Sequence, residues 1–164
     1  MSLALLDLLL GSREPLALCT VMQVKGSAPR HPGSWMLAGP AGLVAGSVGG
    51  GGGEAVVLDA AREALADGKA RVLEVEKLGT EAEGPEMVCG GTALILVEPV
   101  GSKSAYASAR ELLSRGERAL LAVQRLDRGA ADHRHVVAGE LVLRQQLAHL
   151  HLDEVQELLV VDHV

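Results

Sequence analysis

Three short segments of the chain carry residue types that packing alone does not require. The first is Gly26–Gly33 (GSAPRHPG), where two prolines stiffen a loop and small residues let a ligand approach the backbone. Arg30 offers a forked donor that suits a phosphate or carboxylate group. The same composition also fits a surface connection whose glycines and prolines only turn the chain, so both interpretations stay open.

The second segment, Gly46–Glu54 (GSVGGGGGE), lies between a predicted strand and a predicted helix. Successive backbone N–H groups at the positive end of a helix dipole form a cradle for an anion. Five consecutive glycines weaken folding unless something uses them, which favours a cradle over a flexible linker. Neither GxGxxG nor GxxxxGK[ST] can be read through the segment, so the ATPase and dinucleotide-binding interpretations are weak.

The third segment is Met87–Thr92 (MVCGGT), in which Cys89 precedes two glycines at the start of a predicted strand. Neighbouring N–H groups there could stabilise a thiolate or face a ligand. Taken singly, a cysteine at a strand start is more often a small buried residue. The other cysteine, Cys19, lies in a continuous apolar run and is interpreted as part of the core.

Charge along the chain supports a shared role for the first two segments. Residues 15–53 contain Lys25 and Arg30 but no carboxylate, in a chain with 21 Asp and Glu, 15 Lys and Arg, and a net charge of −6. A local absence of negative charge is what an anion site in an acidic protein requires. The acidic balance, with one Trp, one Tyr and no Phe, argues against nucleic-acid binding.

Two cysteines cannot form a disulfide framework and suit a reducing cytoplasm, where we expect the protein to act. No apolar run approaches the ~18 residues of a membrane span, and the first residues lack the basic region of a secretion signal. The histidine pairs His133/His135 and His149/His151 have no third ligand at a recognised spacing. No metal site is predicted.

Alternating helical and strand patterns must position these segments, and 164 residues fit one domain. We predict a single α/β domain over 1–164, with a mixed β-sheet flanked by helices. Apolar periodicity predicts helices at 2–10, 54–67 and 104–115, and a short C-terminal helix from Asp153. Strands are predicted at 16–24, 34–38, 43–48, 70–76, 92–98, 118–125, 135–138 and 141–145.

The two ends of the chain suggest a weak internal duplication. LLLGSREPLALCTV and MLAGPAGLV, near the start, resemble ELLSRGERALLAV and VVAGELV, near the end. Both sets indicate a helix, a strand, a long loop, a strand, a tight turn and a strand. Two helix–strand joins of similar composition can also arise by chance, so the duplication is a hypothesis.

The segments together resemble a known family. LALCTVMQVKGSAPRHPGSWMLAGPAG, GSVGGGGGEAVV and MVCGGTALILVEP look like the three signature blocks of the XdhC/CoxI family, in the same order and spacing, over about residues 3–100. These accessory proteins serve the maturation of molybdenum hydroxylases such as xanthine dehydrogenase and carbon monoxide dehydrogenase. The resemblance implies a protein that binds the molybdenum cofactor transiently and delivers it to the apo-enzyme, with no catalytic residues of its own.

The resemblance also implies which residues hold the cofactor. Arg30 would clamp an anionic group, Ser27 and Ser47 would exchange hydrogen bonds with it, and Cys89 would lie near the metal or its sulfur. The implied binding set is Ser27, Arg30, Ser47, Gly49, Gly50, Gly51, Gly52, Glu54, Cys89, Gly90 and Gly91.

The sequence departs from the family pattern at two points. Gly52 stands where the family usually carries the cysteine of a GGC-x-E motif, so Cys89 is the remaining thiol. Longer relatives add a nucleotide-binding domain whose Rossmann glycine motif is not found here, so we expect the N-terminal type of domain alone.

Two other functions remain open on the sequence. One is a small sulfur- or nucleotidyl-transfer enzyme with Cys89 as nucleophile. The other is a degenerate relative that only docks to a partner. The implied partners are a molybdenum hydroxylase apo-enzyme and a cofactor-sulfurating or nucleotidyl-transferring protein. A homodimer is compatible with the sequence, but nothing in the sequence selects it.

Overall fold

The computed structural model describes residues 3–76, 91–117, 119–124, 134–139 and 157–161. Its helices are α1 (Leu3–Gly11), α2 (Gly51–Asp67) and α3 (Ser104–Ser114). Its strands are β1 (Ala17–Lys25), β2 (Trp35–Gly39), β3 (Gly42–Gly46), β4 (Arg71–Glu76), β5 (Thr92–Pro99), β6 (Ala119–Gln124), β7 (Arg134–Gly139) and β8 (Glu157–Val161). The predicted α/β class is confirmed.

The chain divides into two compact units, one formed by Ser12–Val100 and the other by Met1–Gly11 with Gly101–Val164. The prediction of a single domain over 1–164 stays a prediction. Within the part of the chain that the structure describes, no helix is long and apolar enough to cross a membrane.

The unit Ser12–Val100 is a five-stranded sheet with α2 packed on one face. The strand order is β3-β2-β1-β5-β4, and every neighbouring pair is antiparallel. The sheet is therefore antiparallel where a mixed sheet was predicted. Consecutive strands β1–β2–β3 pair as neighbours, and β5 returns to lie between β1 and β4; no parallel pair occurs among the described strands of this unit.

Helix α2 covers the sheet with small residues. Its buried face consists mainly of Val57, Ala60, Ala61 and Ala64, and it packs against alternate residues of β1 and β5, such as Cys19 and Ile95. Alanines let the helix axis approach the sheet closely and keep helix propensity high. The helix ends as predicted at Gly68, whose φ of 72° is left-handed and whose N–H donates to the Ala64 carbonyl at 2.9 Å.

Strand β1 contains an irregularity that changes which residues face α2. Its register with β5 shifts between Val21 and Gln23, the mark of a β-bulge. Val21, before the shift, is buried in the core under α2. After the shift Val24 packs against that core, while Lys25, paired with Thr92, is exposed.

In the second unit, α1 packs against α3. Leu6 and Leu9 of α1 are buried, as are Tyr106, Ala109 and Leu113 of α3. The Arg110 guanidinium also donates to the Asp7 carboxylate at 2.8 Å. Apolar burial is the larger contribution, because exposed ion pairs add at most about 1 kcal/mol.

The same unit contains a second antiparallel sheet of order β7-β6-β8. β8 pairs with β6 from Ala119↔Val161 to Val123↔Glu157, so the predicted C-terminal helix is wrong for residues 157–161. The sequence there, ELLVV, ends in two β-branched residues, which favour a strand. The predicted strand 141–145 lies outside the described residues.

The two halves of the proposed duplication share part of their pairing. β1 pairs antiparallel with β2 from Ala17↔Ala38, and β6 pairs antiparallel with β7 from Ala119↔Gly139. Each central strand follows a helix and is flanked on its other side by a later strand, β5 or β8. The duplication stays a hypothesis, since its last strand falls outside the described residues.

Candidate functional site

Chain connections gather at one end of the five-stranded sheet. β1 ends at Lys25 and β4 ends at Glu76, and both residues pair with Thr92, the first residue of β5. β3 ends at Gly46, opposite Met36 near the start of β2. The predicted first segment therefore leaves this end of the sheet, the second segment leaves it on the way to α2, and the third enters it.

The third segment touches the first through Gly91. A Cβ atom built on Gly91 would lie 2.2 Å from the Ser27 carbonyl oxygen and 3.0 Å from that of Lys25. Only a residue without a side chain allows this approach. Gly91 is thus brought against Ser27, whereas Cys89 and Gly90 lie outside the described residues.

The first segment is a closed excursion from β1, which we call the arginine loop (Gly26–Gly33). At its base the Gly33 N–H donates to the Val21 carbonyl at 2.8 Å, and the Val21 N–H donates to the Ser34 carbonyl at 2.9 Å. Arg30, inside the excursion, is exposed. The bonds fix the C-terminal end of the loop to β1, while the Arg30 side chain is left in solvent.

The second segment begins with an obligatory glycine. Gly46 has a φ of +77°, and a Cβ there would lie 2.2 Å from the Trp35 carbonyl oxygen. That same oxygen accepts the Ser47 N–H at 3.1 Å. The chain therefore leaves β3 pressed against β2, and the following residues, the glycine loop (Ser47–Gly50), start from a fixed point.

A carboxylate of the chain itself occupies the glycine loop. One oxygen of Glu54, Oε2, accepts the Ser47 hydroxyl at 2.7 Å, the Gly50 N–H at 3.1 Å and the Val48 N–H at 3.3 Å. The Ser47 hydroxyl in turn accepts the Gly49 N–H at 3.2 Å. This resembles a capping box, in which a glutamate of the first helical turn reaches back to the N-cap N–H.

The carboxylate also explains where α2 begins. The helix starts at Gly51, three residues before the predicted start, with Gly50 as its N-cap. Gly49, Gly50 and Gly51 all have positive φ. The glycine run is thus partly loop and partly first helical turn. The N–H groups of Val48 and Gly50 bind the Glu54 carboxylate, at the place where the sequence predicted an external ligand.

The outer side of the glycine run is open. A Cβ built on Gly50 or Gly52 meets no heavy atom within 4 Å, and Gly52 is exposed. Gly52 therefore has room for the cysteine that the family motif places there. Of the residues that the sequence predicted for a site, the structure brings Ser47, Gly49, Gly50 and Glu54 into one hydrogen-bonded cluster.

Two buried titratable groups lie in the sheet. Glu98 of β5 is 1% exposed, and its burial raises the pKa of its carboxyl to about 8. Cys19 of β1 is fully buried, and the pKa of its thiol is raised to about 12, first by burial and then by the negative charges of Glu98 and Glu54. The interpretation of Cys19 as a core residue is confirmed.

Sequence reasoning did not single out Glu98. The available signal was one acidic residue at the end of an apolar run, TALILVEP, where a strand buried on both faces is expected. Among the described residues, no group of three or more His, Cys, Asp or Glu side chains is placed to hold a metal ion.

One family model matches part of this chain. The sequence profile of the XdhC and CoxI family matches residues 9–76. Residues 9–76 are an XdhC and CoxI family segment. It runs from the end of α1 through β4 and includes the arginine loop, the glycine loop and α2, so the resemblance seen in the sequence is confirmed.

A solved structure agrees with this assignment. The crystal structure of a protein described as a xanthine dehydrogenase from Bacillus halodurans is similar, with a TM-score of 0.68 and 25% sequence identity. The match covers 85% of this chain and 45% of that chain, so this chain spans less than half of its relative. No curated protein matches the sequence.

Proposed function

We propose that this chain serves the maturation of a molybdenum hydroxylase of the xanthine dehydrogenase or carbon monoxide dehydrogenase type, by binding the molybdenum cofactor and delivering it to the apo-enzyme. The observation that carries the proposal is the XdhC and CoxI family match over residues 9–76. The arginine loop and the glycine loop both lie inside that match.

Two exposed cations at this end of the sheet fit an anionic ligand. Arg30 and Lys25 are exposed, and residues 15–53 contain no carboxylate that would repel a phosphate. Ser27 is also exposed, and it lies against Gly91 of the third segment. When bound, the cofactor would supply the molybdenum chemistry of the acceptor enzyme; the chain would supply only its binding groups.

The two loops have different roles in this proposal, because the Glu54 carboxylate already occupies the glycine loop. Its carboxylate already accepts the hydroxyl of Ser47 and the N–H groups of Val48 and Gly50, so these groups order the glycine loop. In the proposal the arginine loop contributes the cation that holds the anionic group. The glycine loop contributes a surface without side chains around Gly50 and Gly52, where a bulky ligand can approach the backbone.

The proposal is tested by cofactor retention under anaerobic, reducing conditions. The purified chain is mixed with molybdenum cofactor released from a molybdenum hydroxylase, and bound molybdenum is measured after ultrafiltration. Arg30→Ala should weaken retention roughly 10- to 150-fold, because one charge-assisted hydrogen bond contributes about 1.5–3 kcal/mol. Arg13→Ala is the matched control, an exposed arginine before the opposite end of β1.

Three outcomes separate the alternatives. If the chain retains no molybdenum and forms no complex with the apo-enzyme, the proposal is wrong. If the chain retains no molybdenum but forms a complex with the apo-enzyme that Arg30→Ala does not change, the chain only docks. If Cys89→Ser retains cofactor fully, carriage through the loops is supported over sulfur transfer at that thiol.

A further inference from the structure

The face of the five-stranded sheet opposite α2 is accessible at one end of β5. Ala93 and Ile95 of β5 lie in the core under α2, so Thr92 and Leu94 project from the opposite face. Both are half-buried, whereas Leu96, the next residue on that face, is 3% exposed. Because β5 is an interior strand between β1 and β4, a ligand that contacts these side chains must lie on the sheet itself.

Unlike charges stand on either side of Thr92. Lys25 of β1 and Glu76 of β4 both pair with Thr92, and directly paired residues project from the same face of a sheet. Lys25 and Glu76 are exposed, and neither is ion-paired with a side chain that the structure describes. Two strand spacings place their Cα atoms about 10 Å apart.

The next row of partners adds polar groups around an apolar centre. Gln23 of β1 and Glu74 of β4 both pair with Leu94, and both are exposed. We call the six residues of the two rows the shelf: Gln23, Lys25, Glu74, Glu76, Thr92 and Leu94. An apolar surface between a few polar groups that fix orientation is typical of small-molecule sites.

The two charges of the end row select a ligand with two unlike ends. A carboxylate such as Glu76 accepts hydrogen bonds, and it binds most strongly to a pair of adjacent N–H donors. An ammonium such as Lys25 binds a phosphate as a point charge. A flat ring with an amino group beside a ring N–H at one edge, and a phosphate on a short side chain at the other, supplies both partners.

We propose that the shelf binds the aminopyrimidinone ring of a phosphorylated pterin or guanine. The amino and N–H donors of the ring lie on Glu76, its flat face lies on Leu94, and its phosphate lies at Lys25 beside the arginine loop. This inference rests on the proposed function, because the pterin of the molybdenum cofactor is a ring of this kind and carries a phosphate. Glu76 is then the residue that selects the ring.

Binding of neopterin monophosphate to the full chain, followed by pterin fluorescence, tests the site. Glu76→Gln should weaken binding about tenfold or more, because the amide keeps one acceptor oxygen and turns N–H groups toward the donors of the ring. Glu14→Gln is the matched control. Glu14 is an exposed glutamate before the start of β1, at the other end of the sheet, and its replacement should leave binding unchanged.

Removing the phosphate separates the two ends of the ligand. Lys25→Gln should weaken binding of neopterin monophosphate roughly fivefold, and less at high salt, as expected for an exposed charge pair. It should leave binding of neopterin without phosphate unchanged, whereas Glu76→Gln should weaken binding of both compounds. Equal weakening of both compounds by Lys25→Gln would contradict the proposed orientation.

Competition identifies which source of the ring the shelf prefers. 5′-GMP should displace neopterin monophosphate about tenfold more effectively than 5′-IMP, which has the same ring N–H but lacks the amino group. Tighter binding of neopterin monophosphate than of 5′-GMP supports a pterin ligand, and the reverse order supports a guanine nucleotide. Equal displacement by 5′-GMP and 5′-IMP overturns the role of Glu76 as an acceptor of two hydrogen bonds.

The inference and the proposed function fail in different ways. If the chain binds neither neopterin monophosphate nor 5′-GMP at millimolar concentrations, or binds them equally well after Glu76→Gln, the shelf is not the site. Molybdenum cofactor retention that Glu76→Gln leaves intact overturns the shelf and keeps the proposed function. Ring binding that depends on Glu76, in a chain that retains no molybdenum cofactor, supports the shelf and overturns the proposed function.

Discussion

Replacing Gly91 by alanine tests whether the first and third segments are held together as the structure shows. The added Cβ would lie 2.2 Å from the Ser27 carbonyl oxygen, 2.8 Å from its carbonyl carbon and 3.0 Å from the Lys25 carbonyl oxygen. Ordinary van der Waals contact begins at 3.4 Å, so the arginine loop or the start of β5 must move by roughly 1 Å.

The expected loss in the free energy of unfolding follows from which atoms must move. All three are backbone atoms, and the loop that contains Ser27 is fixed at its base by the two hydrogen bonds to Val21. Overpacking of a well-packed site typically costs 1–3 kcal/mol, and we expect Gly91→Ala to lower the free energy of unfolding by about that amount. Urea denaturation followed by circular dichroism measures it.

Gly52→Ala is the control for this experiment. Its Cβ meets nothing within 4 Å, and the residue lies in the first turn of α2. Alanine is favoured over glycine in a helix, so this variant should range from no change to a gain of about 1 kcal/mol. If Gly91→Ala unfolds within about 0.5 kcal/mol of the wild type, the contact with Ser27 does not exist as described and the reasoning is refuted.

Four further outcomes are expected. Glu54→Ala should lower the free energy of unfolding by about 1–3 kcal/mol in urea because three donors lose one acceptor, and Glu54→Gln should lose less because an amide oxygen still accepts; equal losses would contradict the role of that oxygen. Gly52→Cys should fold with wild-type stability, and its thiol should react with iodoacetamide at pH 7 faster than a free cysteine, since the N-terminus of α2 favours the thiolate. Cys19, with a pKa raised to about 12, should stay unlabelled at pH 8 until urea unfolds the protein, as peptide mass spectrometry would show; labelling of native protein would place the thiol outside the core. Glu98 has a pKa of about 8 in the folded protein against an ordinary value of 4.5, so the folded state keeps this proton to a higher pH than the unfolded state does. The free energy of unfolding should therefore fall as pH rises from about 5 to 8. Glu98→Gln should flatten that dependence, as urea titrations at several pH values would show.

Local patterns predicted most of the elements but not how they pair. The helix predicted at 54–67 ends where α2 ends, and the strands predicted at 34–38 and 43–48 correspond to the β2–β3 hairpin, because turn and cap residues act on their own neighbours. The position of β5 beside β1 could not be read from the sequence, since strand order depends on contacts between residues far apart in the chain.

The glycine loop shows the same limit at the site. The sequence predicted an anion at the start of α2, and one is found there, but it is the Glu54 carboxylate. Spacing alone does not show that a side chain four residues after Gly50 turns back to its N–H. The Gly91 contact with Ser27 was equally hidden, because it joins residues 64 positions apart whose only signal is a missing side chain.

The bulge in β1 decides which side chain at the site points into solvent. Side chains alternate along a strand, so with Val21 buried under α2 an unbroken strand would turn Lys25 toward the core as well. The shift between Val21 and Gln23 places Val24 there and leaves the Lys25 ammonium outside, beside the arginine loop. Met22 is the extra residue that the bulge accommodates, because without it Gln23, Val24 and Lys25 would keep the same partners on β5. A regular strand that kept Met22 would instead turn Lys25 inward and bury an amine, so the bulge, as much as the composition of β1, keeps a cation exposed at this end of the sheet.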